Sequence, residues 1–217
     1  MNSVSHYPSR RLKYLASIND QALPETTNPD FELAYIDISN VDSQGTIHDV
    51  TNYRFEDAPS RARRVVKHGD VIISTVRTYL QAISSIENPP ENLIVSTGFA
   101  VVRPGDGLDP SYCKYALRES RFLWEVMVRS TGVSYPAINA SELGDIMICH
   151  PSLNVQRKIA SYLDRETARL DSIIKKLGVT STSSAPEGSM LSLLVERRAA
   201  LITAAVTGQI PHEEMSG

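Results

Sequence analysis

Apolar residues recur at helical spacing through the last third of the chain and predict two long helices there. Leu163, Leu170 and Leu177 lie seven residues apart within residues 154–177, and a second stretch, residues 190–209, repeats the pattern. A stripe of this width suits the packing of one helix on another. Because so long a stripe needs a partner, we expect it to pack on the other helix, on a second chain or on both. The apolar positions assigned to this contact are Ile159, Leu163, Leu170, Ile173, Ile174, Leu177, Leu191, Leu194, Leu201 and Ile202.

The segment between the two stretches, residues 178–189, is polar and contains Gly178, Pro186 and Gly188. Proline and glycine both disfavour the interior of a helix, so one continuous helix is not expected. The pattern predicts a hinge or the tip of a helical hairpin.

Before residue 151 the pattern alternates between the two-residue period of strands and the longer period of helices. Asp109 and Pro110 predict the start of a helix over residues 111–128, because Asp is a favoured N-cap and Pro suits the first helical position. That helix is expected to bury Tyr112, Ala116, Leu117, Leu123, Val126 and Met127. Strands are expected at residues 33–39, 46–50, 71–76, 79–86, 93–96, 99–103 and 144–149, with a strand or short helix at 11–18.

These elements predict an α+β fold in three parts. Residues 1–151 are expected to form a domain with a small, twisted, mostly antiparallel sheet and flanking helices. Residues 152–210 would follow as a long-helix or coiled-coil module, and residues 211–217 as a tail.

Composition narrows the class of protein. The chain has 217 residues, 41% of them hydrophobic, which is enough for a real core, and a net charge of −3 that excludes a nonspecific polycation but not a locally basic groove. Its cysteines, Cys113 and Cys149, form no disulfide framework and no metal-binding spacing, so a reducing cytoplasm is expected. Neither a signal peptide nor a membrane-spanning stretch is expected.

Motifs for catalysis are missing from the sequence. No two histidines are spaced as metal ligands, and no nucleophile motif or phosphate-binding loop occurs. The string Asn88-Pro89-Pro90-Glu91 partly matches the short motif that DNA adenine methyltransferases use to hold a flipped base. However, Glu91 cannot stack on a base, and there is no glycine-rich turn for a methyl donor, so we interpret the string as a loop. We expect no metal, no cofactor and no catalysis by this chain.

Three groups of residues are candidates for contacts with nucleic acid. A basic run ahead of a strand is more often solvated charge, but a cluster of cations could also engage phosphates. A group that follows the 71–76 strand has side chains able to contact base edges, but could form an ordinary hairpin. A third group belongs to a polar loop containing glycine and one aromatic residue. These groups are Arg61, Arg63, Arg64 and Lys67; Arg77, Thr78, Tyr79 and Gln81; and Ser130, Thr131, Ser134 and Tyr135.

Four strings together resemble one known family, the specificity subunits of type I restriction–modification systems. Residues 68–74 (HGDVIIS) resemble the family's GD(I/V)L(I/L)S strand, and residues 96–104 (STGFAVVRP) its second core strand. Residues 141–163 resemble the passage into its conserved helix, and residues 196–210 (ERRAALITAAVTGQI) the end of that conserved region. The strings occur in the family's order and span nearly the whole chain.

The resemblance implies a target recognition domain followed by one conserved helical region. Full subunits of the family contain two such halves, read a two-part DNA site, and set the distance between the half-sites with their helices. It therefore implies double-stranded DNA, methyltransferase subunits and restriction subunits as partners, with the methyl donor and ATP bound by those partners. Because only one half is present, we expect a homodimer. In this family the segment at 178–189 is often a continuous helix.

Two other classes are considered beside this one. The chain could be the recognition end of a single-chain methyltransferase-nuclease, which a methyl-transfer assay would detect. It could also be a coiled-coil interaction protein without a DNA role, which DNA binding that falls steeply with salt would exclude.

Overall fold

The computed structural model describes residues 6–176 and 188–215. Leu177 and most of the 178–189 segment lie outside the described residues, as do the predictions made for them. Within the described residues the strands are β1 Ser9–Arg11, β2 Ala16–Ile18, β3 Glu32–Ile36, β4 Thr51–Arg54, β5 Ala62–Val65, β6 Val71–Ser74, β7 Ile83–Ser85, β8 Leu93–Ser96, β9 Phe99–Pro104 and β10 Met147–Cys149. The helices are α1 Pro110–Ala116, α2 Ser120–Arg129, α3 Ala140–Gly144, α4 Leu153–Lys176 and α5 Met190–Thr207.

The strands form two four-stranded sheets, in the orders β2-β9-β6-β7 and β4-β3-β8-β5, and a small pair of β1 with β10. All pairings are antiparallel except that of β3 with β8, which is parallel. Together with the long helix α4, this arrangement confirms the predicted α+β class with mostly antiparallel sheets.

The two strands that carry the family resemblance are neighbours at the centre of one sheet. β6 and β9 pair from Val71 opposite Val102 to Ser74 opposite Phe99. All of β6 is buried, as is β9 through Val102. Such a strand has to be apolar on both faces, which explains its continuous aliphatic run.

An ion pair closes one end of this central pair of strands. Asp70 is 1% exposed, and its carboxylate accepts two hydrogen bonds from the Arg103 guanidinium, at 2.9 and 2.8 Å. It also accepts the Lys67 backbone N–H at 2.7 Å. Since a buried carboxylate requires such partners, the acid of one motif and the arginine of the other have a structural role here.

The prediction of one continuous helix over residues 111–128 is wrong, because the helix is interrupted between Leu117 and Glu119. The side chain of Glu119 accepts the backbone N–H groups of Arg121 and Phe122 and so caps a new helix, α2. Because α2 begins at this new cap, its side chains face different directions from those of one continuous helix. Phe122 is buried in place of Met127, which is about half exposed.

The strand predicted at residues 46–50 is also wrong. The Asp42 carboxylate accepts the backbone N–H groups of Gln44 and Thr46, each at 2.9 Å, and holds this segment in a turn. The strand begins afterwards, at Thr51. Short side-chain-to-backbone bonds of this kind compete with strand pairing and leave no trace in hydrophobic periodicity.

Helices α4 and α5 pack on each other and on the domain that precedes them. Ile159 and Leu163 of α4 and Ile202 and Val206 of α5 belong to the same buried cluster as β6 and α1. Leu170 of α4 is buried nearer the far end of the hairpin. The apolar stripe therefore finds much of its partner within its own chain.

Gln156 fixes the start of α4 to the domain. Its side chain is fully buried, accepts the Asp109 backbone N–H at 2.8 Å, and donates to the carbonyls of Gly107 and Pro151 at 3.1 and 2.8 Å. None of the helices in the described part of the chain is both long and apolar enough to cross a membrane.

Candidate nucleic-acid interface

Backbone hydrogen bonds bring several predicted contact residues to one edge of the domain. The turn between β8 and β9 is central to this edge: Thr97 donates to the carbonyl of Arg61, and the Gly98 carbonyl accepts from Thr75. Ile138 in turn donates to the carbonyl of Thr75. The start of β5, the end of β6 and the segment after α2 therefore meet at this edge.

Residues 77–81, called the 77–81 turn, leave the end of β6 as a tight 3-10 turn with an unusual backbone. Arg77 and Gln81 flank the turn Thr78–Leu80, and both have left-handed conformations, with φ of 54° and 50°. Residues other than glycine pay a conformational cost in this region, and such residues cluster at functional sites. The turn exposes the side chains of Arg77 and Tyr79.

Residues 130–135, called the 130–135 loop, are held against this turn. The hydroxyl oxygens of Thr78 and Ser130 are 2.9 Å apart and hydrogen bonded. Ala137 makes isolated bridge contacts with both Val76 and Thr131. The Arg77 guanidinium lies over the Tyr135 ring, 5.0 Å from the ring centroid. Two segments whose bonded residues are 52 positions apart in the sequence thus form one surface.

The predicted residues of this surface differ in exposure and hence in what they can touch. Tyr79 and Tyr135 are 54% and 61% exposed, and Thr131 and Ser134 are also exposed. Thr78 is only 5% exposed, so its hydroxyl joins the two segments. Gln81 lines a cavity of about 150 Å³ beside Leu123 and α5, apart from the exposed side chains.

The basic cluster is spread along β5. Arg61 lies at the edge that carries the 77–81 turn and is paired with Asp37 at 3.6 Å. Arg63 stacks over the Phe55 ring, and Arg64 is half-buried with its Nε lacking a hydrogen-bond partner among the described residues. Lys67 lies two residues beyond the opposite end of β5, whose four residues span roughly 13 Å at ~3.3 Å per residue.

Hydrophobic periodicity missed an exposed apolar face on α2. Trp124, Met127 and Val128 are each at least half exposed, and the helix packs against the 77–81 turn and leads into the 130–135 loop. The signal was present in Glu119, an acid that can cap a helix and reset its phase.

The segment that partly matches a base-holding motif lies elsewhere. Asn88, Pro89 and Pro90 line an open groove of about 650 Å³, and no aromatic ring is among the residues that line it. The Asn88 backbone N–H donates to His68 Nδ1 at 3.1 Å. Without a ring to stack on a base, this groove lacks the contact on which the motif depends. Within the described residues no group of three His, Cys, Asp or Glu side chains could hold a metal ion.

Comparisons with known proteins agree with the class that the two motif strands and the helical hairpin define. No protein-family model matches the chain. A curated relative is the type I restriction enzyme HindI specificity subunit of Haemophilus influenzae, 24% identical over 126 residues, which are 53% of this chain and 28% of that protein.

Solved structures extend the match. The HsdS subunit of Thermoanaerobacter tengcongensis has a TM-score of 0.69 and 28% identity, covering 78% of this chain and 44% of that one. A structure of a type I restriction–modification system, described for its complex assembly and conformational transition, has a TM-score of 0.70 and 29% identity over the same shares.

The fold is therefore that of a target recognition domain with a conserved helix. The chain is a relative of the type I restriction–modification specificity subunits, and it spans about half the length of the solved ones.

Proposed function

We propose that this chain is a non-catalytic DNA-sequence-specificity subunit that recognises one half-site of a two-part target. It would assemble with methyltransferase subunits and, in a complex that also cleaves DNA, with restriction subunits, in the cytoplasm. In this proposal residues 1–151 recognise DNA, residues 152–210 form the helical region that joins subunits, and residues 211–217 are a tail.

The observation that carries the proposal is the surface formed by the 77–81 turn and the 130–135 loop. It combines an exposed arginine, hydroxyls and two tyrosines on a backbone held in a costly conformation. Side chains of this kind read base edges in the major groove, where hydrogen-bond patterns differ between base pairs. We assign base contacts to Arg77, Tyr79, Thr131 and Ser134, with Tyr135, Thr78, Ser130 and Gln81 supporting them.

Phosphate contacts are assigned to the basic cluster. Arg61 is closest to the proposed base-reading surface, and Arg63, Arg64 and Lys67 would extend the contact if DNA follows β5. Phosphate contacts fix the register of a protein on DNA but carry no sequence information directly. The net charge of −3 also suggests that the lone chain binds DNA weakly.

A homodimer would supply the second half-site. Side chains at the far end of the helical hairpin remain exposed, including Ile173, Met190 and Leu193. A symmetric pair of chains that joined through this end would present two identical recognition domains and read an interrupted palindrome. The faces of α4 and α5 that remain outside would then be available to methyltransferase subunits.

Selection of binding sequences from random duplex DNA tests the proposal. The full chain is incubated with the library alone and with a methyltransferase partner, and the bound duplexes are sequenced. We expect an enriched half-site, repeated in inverted orientation at a fixed spacing. Enrichment of no sequence in either condition contradicts the proposal. A methyl-transfer assay on the chain alone should give no product, whereas methylation would indicate an enzyme.

A further inference from the structure

The Arg77 side chain is exposed, yet another side chain, that of Tyr135, holds it in place. Its guanidinium rests on the Tyr135 ring at 5.0 Å. No carboxylate or side-chain hydrogen bond engages it among residues 6–176 and 188–215, in contrast to Arg103 or Arg129. A cation over a ring face is attracted by the ring's charge distribution and not by a hydrogen bond, so the guanidinium N–H groups remain free to donate.

The backbone beneath Arg77 is fixed as well. Its left-handed φ of 54° is held from both sides, by β6 before it and by the Thr78–Leu80 turn after it. Thr78 in turn bonds to Ser130, and its backbone N–H donates to the Pro136 carbonyl at 3.4 Å. Gly132, with φ of 106°, lets the loop turn back so that Tyr135 lies beside the turn. The two groups of the stack are therefore placed by two separate segments.

The donors that remain free match one base. Guanine presents two acceptors, O6 and N7, on its major-groove edge, and an arginine fork donates to both at once. A ring beneath the guanidinium restrains its rotation without occupying those donors. Lysine cannot substitute, because its ammonium is a single charged point rather than a planar fork.

We propose that Arg77 and Tyr135 form a subsite for a guanine edge, in which Arg77 contacts the base and Tyr135 positions the guanidinium. The inference rests on the proposed function and deepens it, because it predicts that the half-site contains a guanine and names the pair that selects it. Tyr135 acts here through Arg77 and not by its own hydrogen bonds.

Selection from random duplexes with the full chain tests this, using the wild type, Arg77→Lys, Tyr135→Leu and Tyr135→Phe. The wild type should enrich a motif with at least one invariant guanine. Arg77→Lys should reduce the preference for guanine at one position by about tenfold or more, within the range for loss of a bidentate base contact. Tyr135→Leu should reduce it several-fold at the same position and leave the others unchanged, whereas Tyr135→Phe should keep the wild-type motif. Lys158→Ala, which changes an exposed residue on α4, is the control for effects of mutation and purification that do not depend on the site.

The outcomes separate the two proposals. If the wild type enriches a motif that stays the same in Arg77→Lys and Tyr135→Leu, the guanine subsite is refuted while the specificity function stands. An equal loss of affinity for all sequences in Arg77→Lys would indicate a phosphate contact and also refute the subsite. A loss of preference at every position in Tyr135→Leu would indicate a purely structural tyrosine. A wild type that enriches nothing contradicts the proposed function and this inference together.

Discussion

At the scale of single residues, Asp70 and Arg103 show that a charged residue in a recognisable motif can suggest a functional site and yet have a structural role. A buried acid in a Gly-Asp string and an arginine at the end of a strand could each suggest chemistry. In the fold they neutralise each other across neighbouring strands, and Asp20 contacts the same guanidinium. These hydrogen bonds raise the pKa of Arg103, so its guanidinium is charged throughout the physiological range.

Replacing Asp70 with Asn should therefore destabilise the domain without changing its surface. The variant leaves Arg103 with one acidic partner, and we expect the free energy of unfolding to fall by about 2–4 kcal/mol. Urea denaturation followed by circular dichroism measures it. Asp145→Asn is the matched control, because Asp145 pairs with Lys13 at the exposed surface and should matter little. Equal midpoints for the two variants would contradict a structural role for Asp70.

Tyr35 gives a residue-scale prediction for pH. Burial raises its pKa to about 12, and the hydrogen bond that it donates to Asp37 at 2.7 Å acts in the same direction. The folded state therefore holds this proton more tightly than the unfolded state, whose tyrosines titrate near pH 10. The resulting stabilisation is complete below about pH 10 and is lost as the pH rises through 12.

Comparing wild type with Tyr35→Phe by urea denaturation at pH 9 and above pH 11 isolates that contribution, since phenylalanine does not titrate. We expect the wild type to lose stability relative to Tyr35→Phe over this interval. Tyr79→Phe, the same substitution at an exposed tyrosine, is the matched control. A constant difference between wild type and Tyr35→Phe would show that Tyr35 titrates normally.

At the scale of elements, what the sequence could predict depended on whether burial or local hydrogen bonding decided the structure. The strand at 71–74 and the helix from 153 follow from apolar runs and periodicity, because burial requires those patterns. The break at Glu119 and the turn at Asp42 depend on single carboxylates that cap backbone N–H groups. Periodicity carries no record of such bonds.

The surface proposed to read bases shows the same difference between what the sequence could and could not predict. The sequence suggested the 77–81 turn and the 130–135 loop separately, from residue types. It could not show that Thr78 and Ser130 join them, because that contact depends on how α2 packs against the 77–81 turn. Nor could it show that Thr78 is buried and Arg77 stacked.

Gln156 provides the element-scale prediction. Its amide is the main polar link between α4 and the 107–109 segment. Gln156→Ala would leave the Asp109 backbone N–H and the Pro151 carbonyl without this partner in a closed site, while the Gly107 carbonyl would keep its contact with His150 Nε2 at 2.9 Å. We expect unfolding to become easier by about 2–3 kcal/mol. Thermal or urea unfolding measures this, with exposed Lys158→Ala as control. A wild-type midpoint for Gln156→Ala would mean that water replaces the amide at no cost.

At the scale of the whole molecule, the position of the apolar side chains separates folding from assembly. Leu170 is buried within the chain, so a charge there should damage the helical hairpin itself. Ile173 and Leu193 are 43% and 56% exposed, so Ile173→Glu with Leu193→Glu should leave the fold intact. If the far end of the hairpin joins two chains, light scattering should show this double variant at half the wild-type mass. A dimer that survives the double change would place the contact elsewhere.

If the chain binds DNA as proposed, the direction in which the duplex crosses the domain can be tested through salt dependence. Each phosphate contact contributes roughly 0.9 to the slope of log affinity against log salt concentration. Arg61 lies at the edge that holds the 77–81 turn and Lys67 beyond the opposite end of β5. We expect Arg61→Ala to reduce the slope by about one unit. Fluorescence anisotropy over a salt series measures the slope for both variants. A reduced slope for Lys67→Ala as well would show that the duplex follows β5. An unchanged slope for Arg61→Ala would remove this edge from the footprint.

The left-handed backbone at Arg77 also limits which side chains the proposed base-reading surface could carry at that position. Side chains at that position must tolerate a positive φ, which asparagine and glycine do readily and β-branched residues do poorly. A mutational library at position 77 should therefore yield folded proteins with only part of the amino-acid alphabet. New base preferences would be reached more readily by varying Tyr79, Thr131 and Ser134, whose φ values are not positive.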